Sequence, residues 1–278
     1  MSDYVDGKSI VISGAASGFG RLISEKLAGM GANVTCCDIN EDGLSEVVTE
    51  IERAGGSAQY VTADVTDLSS MKSVTARAVT AYGGVDVMIN NAGIMPLAFF
   101  SDHVQAASAW HRCIDINIKG VLNGMIAAYD PMIEQARGHV INISSIYGNF
   151  PVVGAAVYGA TKAAVNTMSE ALRLESRGKI KVTTVKPTGV PTTGLVGSVV
   201  NLEAAVGIVG ENVGEFMPLL QSLGEGTTDP ALLDPEGIGY AVLDPTYIAD
   251  AVIHAIDQPW GVSLGEITIR ASGDHYKL

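Results

Sequence analysis

Lys8-Ser-Ile-Val-Ile-Ser13-Gly14-Ala-Ala-Ser17-Gly18-Phe19-Gly20 is the stretch that decides the fold. Its first six residues read as a buried strand, and Leu22, Ile23, Leu27 and Met30 recur at helical spacing beyond the glycines. Strand, glycine turn and helix follow in that order. Small residues in such a turn let backbone N–H groups approach a pyrophosphate, and the helix N-terminus adds partial positive charge. A packing turn would explain the glycines alone, but the strand before them and the helix after them favour dinucleotide binding.

The same alternation continues outward. Asn33-Val-Thr-Cys-Cys-Asp38 reads as a second strand, ending in an acid eighteen residues beyond Gly20 and close to the position of a ribose-binding carboxylate. Asn40 or Glu41 can cap the next helix, which leaves Asp38 for the ribose. Ala58-Gln-Tyr-Val-Thr-Ala63 is a third strand with Asp64 at its carboxyl edge, and Asp67 caps the helix through Met71, Val74 and Val79. Val85-Asp-Val-Met-Ile-Asn90 is a fourth, running into Asn91-Ala92-Gly93, where small residues again permit close backbone approach to a ligand. A long helix is expected over 110–133, carrying Asn117. Val140-Ile-Asn-Ile143, Lys181-Val-Thr-Thr-Val-Lys186 and Gly265-Glu-Ile-Thr-Ile-Arg270 supply further strands, and 245–257 a last helix.

Chemistry concentrates between Ser145 and Lys162. Ser145 follows an apolar strand, so its hydroxyl stands at a carboxyl end, where open α/β sheets place ligands. Tyr158-Gly-Ala-Thr-Lys162 sits in a helical pattern, which puts phenol and ammonium one turn apart on one face. A free tyrosine titrates near pH 10, and a neighbouring cation favours the phenolate, so Lys162 is expected to tune Tyr158 as a base.

These motifs, in this order, resemble the short-chain dehydrogenase/reductase (SDR) family of the short single-domain type, along nearly the whole chain: Gly14-Ala-Ala-Ser-Gly18-Phe-Gly20, Asp64-Val65, Asn91-Ala-Gly93, Asn117, Ser145, Tyr158 with Lys162, and a modified Pro187-Thr188-Gly189. The resemblance implies one Rossmann-like domain over 1–278, a doubly wound parallel sheet of about seven strands in the order 3-2-1-4-5-6-7. It implies a nicotinamide cofactor held by Gly14, Ser17, Gly18, Phe19 and Gly20, with Asp64 and Val65 flanking the adenine and Asn91, Ala92 and Gly93 lining the cofactor. Pro187, Val190 and Thr192 match positions at the carboxamide, while Thr188 replaces the usual glycine. Ser145 then holds the substrate oxygen, Tyr158 is the acid/base, Lys162 also binds the nicotinamide ribose, and Asn117 holds a water that links Lys162 to solvent. NADP(H)-using relatives place Arg or Lys before the second glycine or after the acid, where this chain has Ser17 and Ile39, so NAD is the expected cofactor. The resemblance also implies dimers or tetramers, whose close helix packing the small residues around Gly159, Ala160, Ala163 and Ala164 would allow.

Composition narrows the partners. The net charge of −13 repels phosphate backbones and anionic lipid surfaces, so nucleic acid is excluded as a partner. No apolar run approaches the roughly 18 residues that span a bilayer, and Met1-Ser-Asp-Tyr-Val-Asp has no basic then apolar leader, so a soluble, cytoplasmic protein is expected. Three cysteines read as core thiols, and five histidines without ligand spacing give no metal site. Residues 190–244 hold eight acids and no Lys or Arg, yet many apolar side chains, and read as a lid over the substrate. The expected substrate is a neutral, largely apolar secondary alcohol or ketone. A hydroxy acid, a sugar-nucleotide epimerase or dehydratase reaction, and NAD binding without catalysis stay open.

Overall fold

The computed structural model describes residues 4–190 and 194–277. Seven parallel strands lie in the order β3-β2-β1-β4-β5-β6-β7: β1 (Ser9–Ser13), β2 (Asn33–Asp38), β3 (Ser57–Thr62), β4 (Val87–Asn90), β5 (Gly138–Ile143), β6 (Ile180–Pro187) and β7 (Glu266–Ile269). The expected order holds. Helices α1 (Gly18–Gly29), α2 (Glu41–Arg53), α3 (Leu68–Tyr82), α4 (His103–Ile114), α5 (Val121–Glu134), α6 (Ala156–Glu175), α7 (Val206–Val209), α8 (Val213–Glu225) and α9 (Pro245–Ile256) connect or cover them.

The central strands are buried on both faces, which is why they read as continuous apolar runs. Alternation still sorts the side chains. Ile10, Ile12, Val34 and Cys36 pack with Ile23, Leu27 and Val252 on one face, while Val11, Cys37, Met88 and Val140 pack with Val74, Met125 and Val165 on the other. The helix starts follow the capping residues in the sequence: Asn40 Oδ1 accepts from Gly43 N at 3.1 Å, Asp67 from Ser69 N at 3.0 Å, and Asp244 from Thr246 N at 2.8 Å. All three cysteines are buried and free. Among the described residues no helix is long and apolar enough to cross a membrane.

The helix expected over 110–133 begins earlier, at His103, and is interrupted by a π turn over Asp115–Gly120. Its polar first turns hid its start, which is fixed by Asp102 accepting from Phe99 N at 2.9 Å and by Trp110 edge-on to Phe100 at 5.6 Å. Asn117 lies within that π turn. The segment between β6 and α9 is mostly short helical turns, and Ala204, Ile208, Val209 and Phe216 pack on Tyr147 and Tyr158 above the carboxyl ends of the strands.

Candidate active site

One cavity of about 1140 Å³ opens over those carboxyl ends. It exceeds the roughly 300–1,000 Å³ typical of a small-ligand pocket, so it has room for more than one molecule. Its lining includes Gly14, Ser17, Gly18, Phe19, Asp38, Ile39, Asp64, Val65, Asn91, Ala92, Gly93, Ser145, Tyr158, Lys162, Pro187 and Val190. Gly20 and Asn117 stand behind the wall, and Thr192 falls outside the described residues.

The floor is a backbone structure. Gly14 and Gly18 take φ of +66° and +54°, which side chains rarely adopt. A Cβ on Gly20 would come within 2.1 Å of Gly14 O, so α1 can approach the turn only as glycine. Asn91 braces the turn from β4: its Nδ2 donates to Ser13 O at 2.9 Å and to Gly14 O at 3.1 Å. Ser17 makes no side-chain cap at the start of α1, so the first-turn N–H groups open onto the cavity, with free space around Gly18. An uncapped helix N-terminus beside a glycine turn fits an anionic diphosphate.

At one end of that floor, Asp38 accepts from Ala16 N at 3.3 Å and from Asn40 N at 3.0 Å, which fixes its carboxylate at the tip of β2. Ile39 beside it is exposed. Arg21, just beyond the glycine turn, turns away to Glu25 and Glu50 at 2.8 and 2.5 Å. Asp64 is tied to Thr66 at 2.9 Å, and Val65 is pinned by Asn123 Nδ2 on its carbonyl at 2.8 Å.

The other end carries the polar trio. Tyr158 and Lys162, one turn apart on α6, are 4% and 5% exposed. The Ser145 hydroxyl lies in hydrogen-bonding reach of the Tyr158 phenol and accepts from Tyr147 N at 3.3 Å. Ser144 faces the other way, its hydroxyl donating to Asn166 Oδ1 at 2.7 Å. Burial pushes the Tyr158 phenol up, and the bond from Ser145 works against that rise. Burial also pulls the Lys162 ammonium down to about 8. Lys162 Nζ donates to Ile143 O at 2.9 Å and stands 5.7 Å from the Tyr158 ring centre. Asn117 is fully buried; its Oδ1 accepts from Ile94 N at 3.0 Å, and its Nδ2 donates to Ile94 O at 2.9 Å and Thr161 Oγ1 at 3.1 Å. These bonds tie the loop after Gly93 to α6 beside Lys162.

Sequence reasoning missed the far wall. Tyr147, two residues after Ser145, and Tyr276, in the segment after β7, both line the cavity. Tyr147 had a signal in its closeness to Ser145; Tyr276 had none. Thr188 donates its N–H to Ile269 O at 3.1 Å, and its hydroxyl is buried without a partner among the described residues.

The chain matches the short chain dehydrogenase family over residues 8–203. It is 39% identical over 194 residues to a 2,5-dichloro-2,5-cyclohexadiene-1,4-diol dehydrogenase of Sphingobium indicum, covering 69% of this chain and 76% of that protein. An uncharacterized oxidoreductase of Listeria monocytogenes is 34% identical over 268 residues, 95% of this chain and 96% of the relative. Among solved structures, an actinorhodin polyketide ketoreductase with NADPH superposes with a TM-score of 0.77 at 28% identity, covering 96% of this chain and 97% of that one.

Proposed function

This chain belongs to the short-chain dehydrogenase family, and we propose that within it the protein is an NAD(H)-dependent dehydrogenase or reductase of a neutral, largely apolar secondary alcohol or ketone. The observation that carries the reading is the convergence of Ser145, Tyr158 and Lys162 on the cavity that the glycine turn and Asp38 also line. When bound, the nicotinamide dinucleotide takes or supplies the hydride. Gly14, Gly18 and the start of α1 would hold its diphosphate, Asp38 its adenosine ribose, Asp64 and Val65 its adenine side, and Pro187 and Val190 its carboxamide side.

The chain's own work is proton transfer and positioning. Ser145 donates to the substrate oxygen, and Tyr158 takes or returns the hydroxyl proton. Lys162 holds the nicotinamide ribose and adds positive charge beside a phenol that burial makes a poor acid. Asn117 positions the loop and α6 around that ammonium and supports its proton exchange with solvent. The segment over 190–244 acts as a lid, with Ile208 and Phe216 walling out water, and its eight acids disfavour anionic substrates. Similarity to a diol dehydrogenase supports a hydroxyl-bearing compound over a hydroxy acid. Asp38 supports NAD over NADP, because a 2′-phosphate would meet a like charge there with no cation at Ser17 or Ile39. The exposed apolar row Leu122, Ile126 and Tyr129 on α5 supports a homo-oligomer, which light scattering would size.

A screen of neutral alcohols and ketones with each cofactor, followed at the reduced-nicotinamide absorbance band, tests the reading. Turnover with NAD(H) at a higher kcat/KM than with NADP(H) is expected. Equal or better use of NADP(H), or a preference for carboxylates over neutral compounds of similar size, contradicts it.

A further inference from the structure

The far wall of the cavity holds two phenol groups that the chemistry above does not use. The Tyr147 ring stands edge-on to Tyr158 at 5.4 Å between centres, and Tyr147 is only 8% exposed. Tyr276 reaches the same chamber from the segment after β7, its ring edge-on to Phe216 at 5.7 Å. Its hydroxyl lies directly on Gly189, where an added Cβ would come within 1.5 Å of it. The segment that carries Tyr276 is held in place by Lys277 N donating to Ile208 O at 3.1 Å, by Asn212 Nδ2 donating to His275 O at 2.9 Å, and by Arg270 on Asp274 at 2.6 Å.

Neither the Tyr147 nor the Tyr276 hydroxyl has a hydrogen-bond partner among the described residues, and neither is sealed inside protein. Both belong to residues that line the cavity. A buried tyrosine hydroxyl ordinarily finds a partner, because leaving it unpaired away from water is unfavourable. Around these two the wall is apolar, formed by Leu97, Ile208, Phe216 and Leu220. Open to the chamber, both are left to pair with water or with a polar atom of whatever displaces it.

We propose that Tyr147 and Tyr276 form a second oxygen-binding locus, so that the substrate is a neutral compound with two oxygens on one small apolar frame, a diol or a hydroxyketone. This rests on the alcohol dehydrogenase reading above. Ser145 and Tyr158 take the oxygen that reacts, and Tyr147 and Tyr276 take the one that does not. A phenol hydroxyl both donates and accepts, so the second oxygen can be a hydroxyl or a carbonyl. In the oxidation direction the reacting C–H leaves as hydride to the nicotinamide, its O–H proton leaves through Tyr158, and the second oxygen keeps its bonds.

The test uses cyclohexanol and the isomeric cyclohexane-1,2-, 1,3- and 1,4-diols with NAD⁺, in the native protein and in Tyr147→Phe and Tyr276→Phe. Phenylalanine keeps both ring contacts and removes only the hydroxyl. The readout is the ratio of kcat/KM for diol over cyclohexanol within each protein, which cancels any general loss from the substitution. At least one isomer should exceed cyclohexanol by about tenfold or more in the native protein. That ratio should fall towards one in both variants, mainly through KM for the diol. A native ratio near one for every isomer, or a ratio that survives both substitutions, overturns the inference while leaving the dehydrogenase reading in place. A protein that binds NADH yet oxidises none of these compounds overturns both.

Discussion

The cavity has two halves built in different ways. The cofactor half is made of backbone and short-range turns: Gly14, Asp38, Asp64 and Asn91 each sit at the carboxyl end of a strand or in the loop that follows it, and Gly18 opens α1. The other half is assembled from segments far apart in the chain, with Tyr147 after β5, Ile208 and Phe216 from the segment before α9, and Tyr276 after β7. The first half depends on the strand ends and the helices that start beside or brace them. The second depends on long-range packing of loops whose exposed acids contribute little, as in the ion pair of Glu211 with Lys277 at 3.6 Å. A general lesson follows: a shared binding chemistry can ride on the fixed part, while specificity rides on the part that packing assembles.

Breaking the packed half alone gives the largest expected effect. Phe216→Ala removes a buried ring that contacts both His275 and Tyr276, and such truncations cost about 3–5 kcal/mol. That loss should appear as faster hydrogen exchange in α7, α8 and the segment after β7, and as a raised substrate KM. NADH affinity should hold. Equal loss of NADH affinity would show that the halves are not separable.

The difference was also a difference in legibility. The strands themselves, the glycine turn, Asp38 and the Tyr158–Lys162 spacing were readable because each depends on local periodicity or on a turn that only certain residues can make, whereas the strand order came with the family resemblance. Asn40 and Asp67 caps were readable for the same reason. The π turn under Asn117 and the Lys162 bond to Ile143 O were not, since they arise from how α4, α5 and α6 pack. Tyr276 was invisible because nothing near it in sequence marks the place where its hydroxyl meets Gly189.

A change confined to the cofactor half should be next in size. Replacing Asp38 by Ala and Ile39 by Arg removes the repulsion of a 2′-phosphate and adds a partner for it, so the ratio of kcat/KM for NADP⁺ over NAD⁺ should rise about 100-fold. Relative rates across an alcohol series with a single cofactor should stay in the same order. A reordered series would mean that Asp38 acts beyond its own half.

Acid should weaken both halves together through the shared sheet. His139 in β5 is 1% exposed and its Nε2 donates to Thr183 Oγ1 at 2.8 Å, which itself donates to Leu264 O at 2.6 Å. Burial pulls the imidazole down to about 3 from the usual 6.5. Between those values the unfolded chain binds a proton that the folded chain refuses, so this contribution is full above pH 6.5 and is lost as pH falls. From pH 6.5 to 5 the loss should be about 2 kcal/mol. Urea midpoints measured across that range should fall in the native protein and fall less in His139→Gln. An identical pH slope in both would remove His139 from the explanation.

The central claim is that Tyr158 performs the proton transfer at the junction of the two halves, and Tyr158→Phe tests it most directly. NADH titrated by fluorescence and alcohol oxidation followed by absorbance should be measured on the same preparation. Binding should stay close to native while turnover falls by about 10²- to 10⁴-fold. Near-native turnover, or a loss of binding in step with turnover, would contradict the assignment.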